Sequence, residues 1–331
     1  MDVLRITRDA ATEADLRSLR ACLAAVRRAD LPADPPPGHV EVAERLHPAA
    51  DREPRTWLAR GDAGGQTAGV VTVWLFTDEN SHLSKVDLQV RPDHRRHGLG
   101  RRLLAVATAE ARAHGRQRTY AWVSNGSPGE SFAVNAGARP VLDSTRRILR
   151  VAEVDWSTLD GCAAGAESRA GGYRLVRWVG GCPAELLQPF ARLMAAMNDA
   201  PIGESGLRAV GWTGARVRRG EAYLTALGLR GYVLAAAEPN TGELAGMTAV
   251  HVSPDSPRAA QAETTVFRPH RGRGLGLWLK ANMLRWLSAA EPGVTEYQTF
   301  NADDNRHMVA VNTRLGYRLE DTMRMWRLGA G

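Results

Sequence analysis

Two short stretches of this 331-residue chain carry residue types that could do chemistry together: "HRRHGLG" at His94–Gly100 and "HRGRGLG" at His270–Gly276. Each joins a β-rich run to a long helical run, 176 residues apart. A turn dense in glycine at the start of a helix aims several backbone N–H groups at one point, at the positive end of the helix dipole. Gly98 and Gly100, like Gly274 and Gly276, leave that approach clear of any Cβ, and the neighbouring arginines add charge that pairs with phosphate oxygens. The chemistry is anion binding, with a diphosphate as the natural ligand. A plain tight turn would also use glycine here. Two copies at matching places favour the ligand reading over the plain one.

Known phosphate loops fit poorly. A P-loop ends in Gly-Lys-Ser/Thr, whereas Gly100 is followed by Arg101 and Gly276 by Leu277. A dinucleotide-binding turn opens its domain, and these turns come late, after three strands that read as antiparallel.

The elements that must position the two loops repeat as well. In the first half "DVLRIT" reads as a strand and "EADLRSLRACLAAVRRA" as a helix with Leu16, Leu19, Leu23 and Val26 on one face. The Pro-rich "LPADPPPGH" follows, then strands "RTWLAR", "GVVTVWLFT" and "SKVDLQV", the loop, helix "LGRRLLAVATAEARAHG", strand "TYAWVS", a short helix, and "STRRILRV" as closing strand. The second half runs from "YRLVRWV" through two helices, three strands, the loop, "LGLWLKANMLRWLSAA", "EYQTFN" and "NRHMVAVNTRLG" to "YRLEDTMRMWRL". Both halves read β, α, α, β, β, β, α, β, α, β. Between them "STLDGCAAGAESRAGG" is rich in Gly, Ala and Ser without evident period and reads as a linker over residues 157–171. The expected domains are 1–156 and 172–331.

Composition narrows the function classes. No apolar run is long enough to cross a bilayer, and the charged N-terminal stretch is unlike a signal peptide, so a cytoplasmic location is expected. The cysteines, Cys22, Cys162 and Cys182, are scattered and indicate neither a disulfide framework nor a metal site. The net charge of +7 is almost all arginine, with Lys85 and Lys280 the only lysines, and basic residues alternate with acidic ones. That pattern argues against a nucleic-acid surface.

Arg-x-x-Gly-x-Gly after a strand ending in Val and before an amphipathic helix resembles the acyl-CoA pyrophosphate loop of the GNAT acyltransferase superfamily. The element order is similar to that superfamily's fold, twice over, and "HRGRGLGLWLKANML" with "TFNADDNRHMVAVNTRLGY" resembles the C-terminal domain of actinobacterial tandem proteins of the mycothiol-synthase kind. The resemblance implies an α/β fold class: two tandem GNAT domains, each a mixed, mostly antiparallel central sheet flanked by helices. It implies acetyl-CoA as acyl donor, no metal, and a small-molecule amine as acceptor. It leaves open a protein amine, a non-catalytic CoA sensor or scaffold, and a monomer or homodimer.

Carried over residue by residue, the resemblance implies that the backbone of Thr265 and Val266 pairs with the pantetheine arm. Arg271, Gly272, Arg273, Gly274, Leu275 and Gly276 would hold the pyrophosphate. The first-domain equivalents are Gln89 and Val90, then Arg95, Arg96, His97, Gly98, Leu99 and Gly100. Asn305 matches a cofactor-contacting position and is equally a helix N-cap. Attack by an amine needs a base, and Glu263 in "QAETTVF" stands where the family places a glutamate, with Asp87 as its first-domain counterpart. The family's thiolate-protonating tyrosine is replaced by Asn312 before Gly316 and by Ala133 before Gly137. Asn312 could hydrogen-bond the sulfur but is no acid. With Glu263 and Asn305 present, the second domain is expected to be the catalytic one.

Overall fold

The computed structural model describes residues 2–61, 65–199 and 204–329. The chain forms two compact units: residues 1–142, 203–208 and 323–331 make the first, and 143–202 with 209–322 the second.

The first unit runs β1 (Val3–Ile6), α1 (Glu13–Asp30), α2 (His39–Ala43), β2 (Arg52–Arg60), β3 (Thr67–Phe76), β4 (Leu83–Val90), α3 (Leu99–Ala113), β5 (Arg118–Ser124), α4 (Pro128–Asn135) and the start of β6 (Arg139–Arg150). Thr12 opens α1 with a capping box, accepting from Asp15 N while Asp15 accepts from Thr12 N. Strands β1 to β4 are antiparallel neighbours. Alternation along β3 sends Val70 toward Leu19, Cys22 and Leu23 of α1, and Val71 and Val73 toward Leu99, Leu103 and Ala107 of α3. Each fully buried leucine of this kind contributes roughly 1.5–3 kcal/mol.

The second unit contains α5 (Trp156–Ala170), β7 (Arg174–Val179), α6 (Leu187–Met194), α7 (Gly214–Ala226), β8 (Arg230–Ala237), β9 (Leu244–Val252), β10 (Arg258–Val266), α8 (Leu275–Ala290), β11 (Glu296–Ala302), α9 (Arg306–Arg314) and the start of β12 (Arg318–Arg327). Strands β7 to β10 are antiparallel. The expected element order is thus present in both halves.

Two expectations need correction. The stretch 157–171 is no linker: it is helix α5, capped by Asp155, whose side chain accepts from Ser157 N and Thr158 N, and closed by Gly171 in the left-handed region. Leu159, Cys162, Ala166 and Ala170 form its buried stripe, in one cluster with Leu277, Trp278, Ala281 and Leu284 of α8. Small residues hid a helical period because their burial face is made of Ala and Cys rather than Leu.

The closing strands are also exchanged. Ser144–Arg150 of β6 pair antiparallel with β11 of the second unit, and Met323–Arg327 of β12 pair with β5 of the first. Each half of the sequence therefore completes the other half's sheet, and the boundary expected near 157–171 does not separate the units. Strand partners at such separation leave no local mark on composition or turn chemistry.

Candidate active site

In each unit the fourth and fifth strands of the repeat are parallel neighbours only briefly. β4 pairs with β5 over Leu83–Lys85, and β10 with β11 over Arg258–Ala260. Past those residues the strands part, and one edge of Val86–Val90 and of Thr264–Val266 faces a gap. Such an edge has the form that takes an extended chain as an added strand, and Gln89, Val90, Thr265 and Val266 lie along it.

The loops at the end of the gap share one backbone shape. Arg96 and Gly98 have φ of 67° and 80°, and Gly272 and Gly274 have 79° and 78°. Successive left-handed residues before a helix form a concave nest of N–H groups, the cradle an anion needs. Nothing lies within 4 Å of where a Cβ on Gly98 would stand. His97 is exposed and Leu99 buried. A Cβ on Gly100 would stand 3.1 Å from the ring of Phe132, which explains the second glycine by packing.

The second loop has an additional neighbour. A Cβ on Gly274 would meet Arg169 Nε of α5 at 3.3 Å and Ala166 Cα at 3.6 Å. Arg273 and Gly272 are exposed, Leu275 is buried, and no atom crowds Gly276.

The leading arginine of each motif was expected to reach phosphate. Instead Arg95 Nε donates to Val90 O at 3.0 Å while its two terminal nitrogens hold Asp30. Arg271 Nε likewise donates to Val266 O at 2.9 Å, and its Nη2 pairs with Asp199 at 2.8 Å. In both units this side chain ties the strand end to the loop, because that carbonyl has no strand partner left. Arg96, His97 and Arg273 are exposed beside the backbone nests.

The carboxylates differ. Asp87 Oδ1 is 3.1 Å from Arg45 Nη2, whose side chain is 4% exposed, and accepts from Gln89 Nε2 at 3.2 Å. Burial acts to raise its pKa, but Arg45, Lys85 and the hydrogen bonds outweigh it and hold Asp87 below the usual carboxylate range.

Glu263 lies at a bulge: Gln261 pairs with Val250 and Thr264 with Thr248, so Ala262 and Glu263 together oppose Ala249. Desolvation pushes its carboxyl upward, opposed only by its own backbone N–H. The bulge is braced. Gln261 Nε2 donates to Ala249 O at 2.7 Å and Thr248 Oγ1 at 2.9 Å, and Lys280 Nζ donates to Gln261 Oε1 at 3.0 Å. Lys280 is 1% exposed, lies 5.1 Å from the centre of the Tyr317 ring, and burial pushes its pKa down to about 7.

The remaining candidates sit inside the fold. Asn305 caps α9, its Oδ1 accepting from Met308 N at 3.3 Å. Asn312 is fully buried and donates to Asn301 Oδ1 at 2.7 Å, with its own Oδ1 unpaired among the described residues. Among the described residues no cluster of His, Cys, Asp and Glu could hold a metal, and no helix is long and apolar enough to cross a membrane.

Each unit thus parts a strand pair beside a nested, glycine-rich helix start. The chain is similar to proteins of one family. Residues 23–129 match the profile of the acetyltransferase (GNAT) family. A tandem GNAT protein from the clavulanic acid biosynthesis pathway is 29% identical, with 100% of this chain and 98% of that one covered and a TM-score of 0.82. A GCN5-related N-acetyltransferase from Sphaerobacter thermophilus shares the fold at 17% identity, covering 98% and 95%, with a TM-score of 0.69. A GNAT-family acetyltransferase from Colwellia psychrerythraea does so at 10% identity, covering 99% and 100%, with a TM-score of 0.56. No curated protein matches by sequence. Over residues 23–129 the chain thus matches the GNAT acetyltransferase family, and over its whole length it is similar to a tandem GNAT protein.

Proposed function

We propose that the protein transfers an acetyl group from acetyl-CoA to the primary amine of a small polar molecule, such as an amino sugar, amino acid or natural-product amine, and that the second unit does the chemistry. The observation that carries this reading is Glu263: a carboxylate on a braced bulge beside the strand gap, desolvated and free of any cationic influence. The similar tandem protein belongs to a small-molecule pathway, which supports a small acceptor.

Acetyl-CoA supplies the thioester carbonyl that the amine acylates. An ammonium has no lone pair, so Glu263 first accepts its proton, directly or through water. Thr265 and Val266 line the strand along which the arm lies, and Gly272–Gly276 with Arg273 hold the diphosphate. Arg271 and Asp199 fix Val266 O at the entrance. The departing thiolate resembles an ordinary thiol of pKa about 8.5 and leaves without an acid. Buried Asn312 supplies none.

Release of free CoA thiol from acetyl-CoA across a panel of amines tests the reading. Turnover with at least one small amine, lost in Glu263→Gln, is expected. Tight CoA binding with no thiol release from any amine would leave a binding protein in place of an enzyme.

A further inference from the structure

Lys85 is one of only two lysines in the chain, and it stands at the mouth of the first unit's gap, as the last residue of β4 paired with β5. Because β4 pairs with β3 without a bulge, Lys85, Asp87 and Gln89 share one face. Lys85 is opposite Trp74, with Nζ 4.8 Å from the centre of its ring, and the residue is half-buried. Arg45 lies over the same ring at 5.8 Å. In the second unit the corresponding Gln261 is turned by the bulge to meet Lys280 of α8, so no amine occupies that face.

We propose that Lys85 is itself an acyl acceptor, acylated by acyl-CoA held at the first unit's own loop. This rests on the reading that the 95–100 loop holds acyl-CoA. An arm laid along β4 from the open nest at Gly98 runs back toward Lys85, whose side chain shares a face with those of Asp87 and Gln89. The charged groups acting on Lys85 are Asp87 and Glu44, which favour its ammonium, and Arg52 and Arg45, which oppose it. Desolvation is the largest influence and lowers its pKa, which makes the lone pair more available.

Asp87 is engaged by Arg45, so the ammonium proton goes to solvent. Lys85 Nζ loses one proton to solvent, and its lone pair attacks the thioester carbonyl carbon. A C–N bond forms, the C–S bond breaks, and the sulfur leaves with the electron pair as CoA thiolate. The second proton, released from the nitrogen as the amide forms, passes to the thiolate or to solvent. The product is a neutral amide that cannot be turned over again.

The test uses the full-length protein incubated with acetyl-CoA. Peptide mass spectrometry assigns every acetyl-lysine, since the alternatives are Lys85 and Lys280 alone. Acetylation is expected at Lys85 and not at Lys280, rising with pH, suppressed by excess free CoA, and reduced in Gly98→Glu to the level of the urea-unfolded chain. Calorimetry with CoA on the wild type, on Gly98→Glu and on Lys85→Arg separates the failures. CoA binding that depends on Gly98 with Lys85 unmodified overturns the inference alone. Labelling that ignores both Gly98→Glu and competing CoA shows adventitious acetylation and overturns it too. Absence of any CoA binding dependent on Gly98 removes the loop reading and the inference with it.

Discussion

Asp87 and Glu263 stand 176 residues apart at the same place in two copies of one fold, each just past the point where parallel strands part. Around them the units differ. An arginine from the segment after α2 reaches Asp87 and holds it ionised, while a one-residue bulge turns Glu263 out of regular pairing and leaves it desolvated without a cation. The loops, by contrast, agree in φ within a few degrees at Gly98 and Gly274. A backbone cradle survives duplication because glycine positions suffice to encode it. A useful base does not, because it depends on which distant side chain neutralises it.

The sharpest way to break this comparison is Glu263→Gln. Loss of a general base lowers turnover by about 10²–10⁴-fold, with acetyl-CoA affinity unchanged. Since the carboxyl is raised by burial, wild-type activity falls as pH falls through that raised pKa, and this acidic limb is absent in the variant. Unchanged turnover would move the base elsewhere.

Asp87→Asn should do the reverse. Turnover stays near wild type, but a buried guanidinium loses its counter-charge, and urea unfolding of the first unit should show a loss of about 3 kcal/mol. A large loss of turnover with little loss of stability would reverse the assignment of the units.

Lys280→Met probes the brace beneath the bulge. The folded pKa of about 7 lies below the unfolded value near 10.4. Across that window the unfolded chain binds a proton the folded chain has released, so wild-type stability rises with pH, by up to about 1.4 kcal/mol per pH unit. Below it the penalty is fully present. Urea midpoints at successive pH values should lose this slope in the variant, with the variant the more stable one near neutrality.

Arg169→Ala asks whether α5 contributes to the second loop. Removing a guanidinium beside Gly274 should weaken CoA binding there about tenfold, the worth of one charge-assisted hydrogen bond. Tighter binding would show that the side chain covers the nest. The smallest effect concerns Arg96, which occupies a left-handed conformation where the second loop has Gly272. Arg96→Gly should relieve about 1 kcal/mol of strain, read as a higher melting temperature.

Much of this was legible in the sequence for physical reasons. Strand alternation, helical period and glycine turns are local, so the element order and the two loops follow from short windows. The site resisted where it is non-local. Asp87 meets Arg45 from another element, and Arg95 and Arg271 fold back on their own strands. Asn305 is engaged as a cap and Asn312 is sealed in the core. Helix α5 did leave a signal. The α8 sequence is apolar nearly all round, unlike the one-sided α3, and a helix apolar on every face needs a cover on each.

The exchanged closing strands bear on how the protein is made. On the ribosome the segment up to residue 142 emerges with β5 lacking the partner it will finally have, since Met323–Arg327 lie far downstream of it. Meanwhile Ser144–Arg150 wait for β11, some 150 residues downstream. Order of synthesis is thus not order of completion: the early unit closes last, through contacts of very high sequence separation, which are slow to form. A nascent chain paused before residue 323 should present an unpaired β5 edge to chaperones or to its neighbours on the same message.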